Sequence, residues 1–98
     1  MADFKQGDVK IKGVKIHYYR SKGGKQSIVM LHGATDDGLC WGRTANELAQ
    51  RYDVIMPDAQ GHGLSDRLGP NFSFNDQTIH AAGLIKELGL KKPIIMGH

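Results

Sequence analysis

Pro93-Ile94-Ile95-Met96-Gly97-His98 is the stretch that decides the fold. A short β-branched apolar run, opened by proline and closed by glycine, reads as a strand that runs straight into a tight turn. Its apolar residues are consecutive rather than alternating, which implies cover on both faces, as in a parallel sheet. A flat apolar last strand also leaves an edge that some neighbour has to pair with. Residues 1–98 are therefore expected to be one part of a larger folding unit.

Working outward, Ser27-Ile28-Val29-Met30-Leu31 and Tyr52-Asp53-Val54-Ile55-Met56 have the same character, the second being stopped by Pro57 and Asp58. Two helical patterns separate these strands. Leu39 through Gln50 places Trp41, Ala45, Leu48 and Ala49 at helical spacing, behind a loop whose Asp36 and Asp37 suit a helix start. Ser73 with Asp76 resembles a capping box, Ile79, Ala82, Ile85 and Leu88 give the next helix its buried stripe, and Gly89 caps it. Upstream, Val9-Lys10-Ile11 and Val14-Lys15-Ile16-His17-Tyr18 alternate around Lys12-Gly13, the pattern of a hairpin half exposed to water. Hairpin, strand, helix, strand, helix, strand is the order of an α/β fold, with parallel strands joined by right-handed crossover helices.

Composition narrows the function classes. With 40% hydrophobic and 23% charged residues the chain is neither disordered nor fibrous. The longest apolar run, Ile28 to Leu31, is far short of the ~20 residues of a membrane span, and the N-terminus has no apolar leader. A single cysteine, Cys40, makes no internal disulfide and suits a reducing compartment, so a cytoplasmic location is expected. The basic residues crowd into the first quarter, where they alternate with apolar ones as on a solvated sheet face, and no nucleic-acid motif accompanies them. His17, His32, His62, His80 and His98 match no zinc spacing. His80 reads as an exposed or partly buried helix residue. Gly61-His62-Gly63 lacks the third glycine of a dinucleotide fingerprint, with Asp66 in its place. No metal and no cofactor are expected.

Each strand end carries a motif. The first parallel strand runs into His32-Gly33-Ala34, the second into Asp58-Ala59-Gln60-Gly61-His62-Gly63-Leu64-Ser65, the third into Gly97-His98. In this order they resemble the N-terminal part of the α/β-hydrolase fold superfamily: the H-G-x oxyanion loop, the D-x-x-G-x-G-x-S loop, and the opening of the G-x-S-x-G nucleophile elbow. The resemblance implies that the nucleophile follows directly after His98. It further implies that the backbone N–H of Ala34 is an oxyanion donor and that His32 and Gly33 support that loop. The elbow itself, the lid, and the catalytic acid and histidine are then expected beyond residue 98, in the remainder of the same domain. Gln60 departs from the Arg common at that position in relatives.

The function this implies is a serine hydrolase cleaving an ester, amide or carbon–carbon bond of a small molecule through an acyl-enzyme. One alternative is an Asp nucleophile, as in epoxide hydrolases and haloalkane dehalogenases, although the oxyanion loop here lacks the Pro frequent in those enzymes. Another is a non-catalytic binding protein of the same fold. Residues 1–98 by themselves are expected to be inactive, since nucleophile, acid and base all lie elsewhere.

Overall fold

Lys12 and Gly13 both have positive φ, 51° and 82°. That pair belongs to a two-residue hairpin turn whose twist matches the strands it joins. Ile11 and Val14 face each other across it, and the antiparallel register runs outward to Lys5 opposite Arg20, defining β1 (Lys5–Ile11) and β2 (Val14–Arg20). β1 thus starts earlier than its apolar alternation suggests. The reason lies across the ladder, where the Tyr18 side chain covers its register partner Gly7 and an added Cβ would stand 2.6 Å from the phenol oxygen.

The computed structural model describes residues 4–21, 26–32, 42–58, 63–65, 67 and 74–97. The remaining elements are β3 (Gln26–Leu31), α1 (Gly42–Leu48), β4 (Tyr52–Pro57), α2 (Phe74–Glu87) and β5 (Ile94–Gly97). They form a five-stranded mixed sheet in the order β1-β2-β4-β3-β5. β2 runs antiparallel to β4, while β3 pairs in parallel with β4 on one side and β5 on the other. The expected hairpin, parallel strands and crossover helices are all present.

The strand order dictates where the helices go. From β3 the chain steps sideways to β4; from β4 it must pass back over β3 to reach β5. Right-handed crossovers in opposite directions put their helices on opposite faces. Accordingly, Ile28, Met30, Val54 and Met56 pack with Tyr19 and Ala45 of α1 on one face. Val29 and Ile55 pack with Ile11, Ile16 and Leu84 of α2 on the other. The consecutive apolar residues of β3 and β4 are read out alternately by the two faces.

The α2 stripe differs from the sequence expectation. Leu84 is completely buried and His80 is 8% exposed, whereas Ala82 is exposed and Ile79, Ile85 and Leu88 are half-buried. The helix is rolled toward the hairpin because Gly83 lets its backbone rest on Ile11, whose Cγ2 would lie 2.6 Å from an added Cβ. Gly89 (φ 65°) ends the helix as expected. Its N–H donates to the Lys86 carbonyl and that of Leu90 to Ile85, the paired bonds of a Schellman cap. On the outer strand, Ile94 and Ile95 are 43% and 50% exposed, in keeping with an apolar edge.

Candidate active site

Leu31 of β3 is the register partner of Gly97 of β5. The two strands are parallel neighbours, ~4.8 Å apart, so both deliver their carboxyl ends to the same place. The chain leaves β3 toward β4 on one side, and it reaches β5 from the other. A crevice opens where connections diverge in this way, and open α/β sheets bind ligands there. His32, half-buried, directly follows β3 at this point, and Gly97 ends β5 beside it. Gly33, Ala34 and His98 lie outside the described residues, as do Asp36, Asp37, Cys40, Trp41, Gln60 and His62.

The loop after β4 is anchored by a closed set of hydrogen bonds. Asp58 is fully buried, and its Oδ2 accepts the Leu64 N–H at 2.9 Å. Ser65 Oγ donates to the Asp58 carbonyl and accepts the His17 N–H at 2.8 Å. The Asp58 N–H donates back to the His17 carbonyl at 2.7 Å. Gly63 has φ 49°, and a Cβ there would run into the Asp58 carboxylate. The first Asp, last Gly and Ser of the D-x-x-G-x-G-x-S pattern therefore fold the loop onto β2, with the backbone of His17 as the clamp.

Nothing in the sequence marked His17 for this part. Its ring is fixed as well: Nδ1 lies 2.7 Å from Asp8 Oδ1 and Nε2 2.9 Å from Gln6 Oε1, both on β1. Asp8 is its register partner, and Gln6 is two residues away on the same face. The alternation read from the sequence begins only at Val9, so it is the register set by Lys12-Gly13 that brings Gln6, Asp8 and His17 together.

At the carboxyl end of the sheet, on the α2 side, lies a cavity of about 490 Å³. Leu31, Ile85 and Ile95 contribute apolar wall; His32, Asp58 and His80 contribute polar groups. His80, expected to be an exposed or partly buried helix residue, is more deeply buried than that, at 8% exposed. Burial pushes its imidazole below the usual value, opposed by the nearby Asp76 carboxylate. Among the described residues no cluster of His, Cys, Asp and Glu could hold a metal ion, and no helix is long and apolar enough to cross a membrane.

Comparison with known proteins places this geometry. The N-formylmaleamate deformylase of Pseudomonas putida is 29% identical over 94 residues, covering 94% of this chain and 35% of that protein. The 2-(acetamidomethylene)succinate hydrolase of Mesorhizobium japonicum is 33% identical over 79 residues, covering 81% and 28%. Among solved structures, a thioesterase domain from the curacin biosynthetic pathway superposes with a TM-score of 0.90 at 26% identity, over 99% of this chain and 36% of that one. Epoxide hydrolases match as well. The chain spans roughly a third of the length of these relatives. A family model described as the alpha/beta hydrolase family matches residues 28–98, and with most of its length so matched the chain belongs to that family.

Proposed function

We propose that this chain is the N-terminal part of a single hydrolase domain that cleaves an amide or ester of a small molecule through a serine acyl-enzyme. The observation that carries this reading is the pairing of Leu31 with Gly97. It sets His32, the residue directly after β3, beside the end of β5 at Gly97. A nucleophile directly after His98 attacks the substrate carbonyl, and the electron pair moves onto the carbonyl oxygen. The N–H of Ala34 and that of the residue after the nucleophile donate to this oxyanion, each contributing ~3 kcal/mol of transition-state stabilisation. Collapse expels the amine or alcohol, leaving the acyl group on the serine for water to remove. The remainder of the domain supplies the acid, the histidine base and the lid, and it covers β5. Support for amide and ester substrates comes from the names of the deformylase, the acetamidomethylene hydrolase and the thioesterase domain.

A second reading, an Asp nucleophile opening an epoxide, is favoured by the epoxide hydrolase relatives. A fluorophosphonate probe on the full-length protein separates the two. Labelling mapped by peptide mass spectrometry to the residue after His98 is the expected result. An unlabelled, folded protein that opens an epoxide would replace the serine mechanism with the aspartate one.

A further inference from the structure

Among the described residues, Lys12 and Lys92 are the non-glycine positions with positive φ. Lys12 belongs to the hairpin turn, whereas Lys92 (φ 47°) stands directly before Pro93, at the entrance to β5. A lysine in the left-handed region is strained, and such strain persists where the surroundings over-determine the backbone. Here the chain is held on both sides. The helix cap at Gly89 and Leu90 fixes it upstream. From the start of β3 the Gln26 side chain reaches across to it, its Nε2 donating to the Lys92 carbonyl at 2.8 Å and to the Ser27 carbonyl at 3.3 Å.

The side-chain pattern of β5 does not by itself select a register. Ile94-Ile95-Met96 is apolar on both faces, as is Ile28-Val29-Met30 opposite, so a one-residue slip inverts no polar-to-apolar alternation. Pro93 has no N–H to donate, and the ladder is short, Ile28 to Leu31 against Ile94 to Gly97. Continued two residues back, the same register brings Gln26 opposite Lys92. A slip of one residue carries the Lys92 carbonyl ~3.3 Å along the strand, away from the Gln26 amide. The Gln26 bond therefore discriminates the observed register from its neighbours.

We propose that Gln26 is a positioning residue: by holding the Lys92 carbonyl it sets β5 on β3 so that Leu31 falls opposite Gly97, which aligns the two carboxyl ends at the candidate active site. Gln26 acts from the amino end of β3, through the strand and not on the substrate. The effect on catalysis rests on the reading that a nucleophile follows His98; the effect on register does not. Misplacing reacting groups by ~1 Å can cost about 10²-fold in rate, so a β5 that slides along β3 is visible in kcat.

The test uses the full-length protein. Gln26→Leu keeps the side-chain volume and removes the donor, while Gln26→Arg offers a donor again with the reach to meet the carbonyl. Methyl–methyl NOEs read the register. Val29 and Ile95 are ladder partners, and their NOE should lose intensity to a contact of Val29 with Met96 or Ile94 in Gln26→Leu and recover in Gln26→Arg. Turnover of p-nitrophenyl acetate should follow, with kcat about threefold to tenfold lower in Gln26→Leu, KM within about twofold, and recovery in Gln26→Arg. If Gln26→Leu does not fold, Gln26→Asn, one methylene too short, replaces it in both measurements. A folded variant with a lower denaturation midpoint but unchanged NOEs and kcat would overturn the proposal and leave Gln26 a stabilising contact. An unaltered protein that turns over no ester would overturn the hydrolase reading instead, and the NOEs then decide the register on their own.

Discussion

Leu31 and Gly97 face each other across the β3–β5 ladder, so the carboxyl ends of β3 and β5 are neighbours although they are distant in the chain. If the loop after His32 supplies an oxyanion donor to a nucleophile beyond Gly97, the essential group is the Ala34 N–H and not its methyl. Ala34→Gly keeps that N–H and should retain most activity in the full-length enzyme. Ala34→Pro removes it and should lower kcat about 10²–10³-fold, with a much smaller change in KM. Equal losses from the two substitutions would show that loop shape, rather than the donor, is what matters.

Gly63 and Gly13 both have positive φ but differ in what surrounds them. A Cβ at Gly13 meets nothing within 4 Å, while one at Gly63 meets the Asp58 carboxylate. Gly13→Ala should therefore cost only the left-handed strain, about 1 kcal/mol. Gly63→Ala adds displacement of a buried carboxylate and loss of its bond to the Leu64 N–H, for a total of about 3 kcal/mol. Chemical denaturation gives both values. Hydrogen exchange should accelerate at Leu64 in the second variant and remain unchanged there in the first.

Arg20 and Asp53 join β2 to β4 side chain to side chain. Both the Nε and Nη2 of Arg20 donate to the carboxylate, at 3.1 and 2.6 Å, and this hydrogen bonding holds the guanidinium above its usual value. Asp53 keeps 5% of its side chain exposed and Arg20 30%. Arg20→Met strands a buried carboxylate and should cost about 2 kcal/mol, less than a fully sealed pair because water reaches the arginine. Replacing both, Arg20→Met with Asp53→Leu, should recover most of that loss. A double variant no more stable than the single one would mean the pair itself, and not the orphaned charge, holds the strands.

The extent to which these features were legible depends on whether their causes are local. Lys12-Gly13, the consecutive apolar runs of β3 and β4, and the Gly89 cap act through neighbours in sequence, and each is readable there. The start of β1 at Lys5 is not, because Gln6, Gly7 and Asp8 lack strand character and are held by Tyr19, Tyr18 and His17 opposite. The α2 face was read only in part for a related reason. Ile79, Ile85 and Leu88 pack against the core as their spacing suggests, but the contact between Gly83 and Ile11 rolls the helix so that Leu84 and His80 are its most buried residues and Ala82 is exposed. A glycine that fits against another element carries no hydrophobic signal of its own. The strand order, and with it the crevice between β3 and β5, is also a tertiary fact. The motifs pointed to strand ends without saying which ends adjoin.

His80 makes stability depend on pH in a direction that can be derived. Desolvation lowers its folded-state pKa, with Asp76 opposing, so between the folded value and the unfolded value of ~6.5 the unfolded chain binds the extra proton. Stability from this group is complete above about pH 6.5 and falls as pH drops toward the folded value. Stability against pH sums over every group whose protonation differs between the folded and unfolded chain, so the total profile alone does not isolate His80. The comparison is with His80→Phe, which removes the titration and keeps a ring in the wall. Denaturation midpoints at pH 7.5 and 5.0 should differ less for the variant than for the unaltered protein. A variant whose midpoint falls by the same amount would show that His80 does not sense the proton.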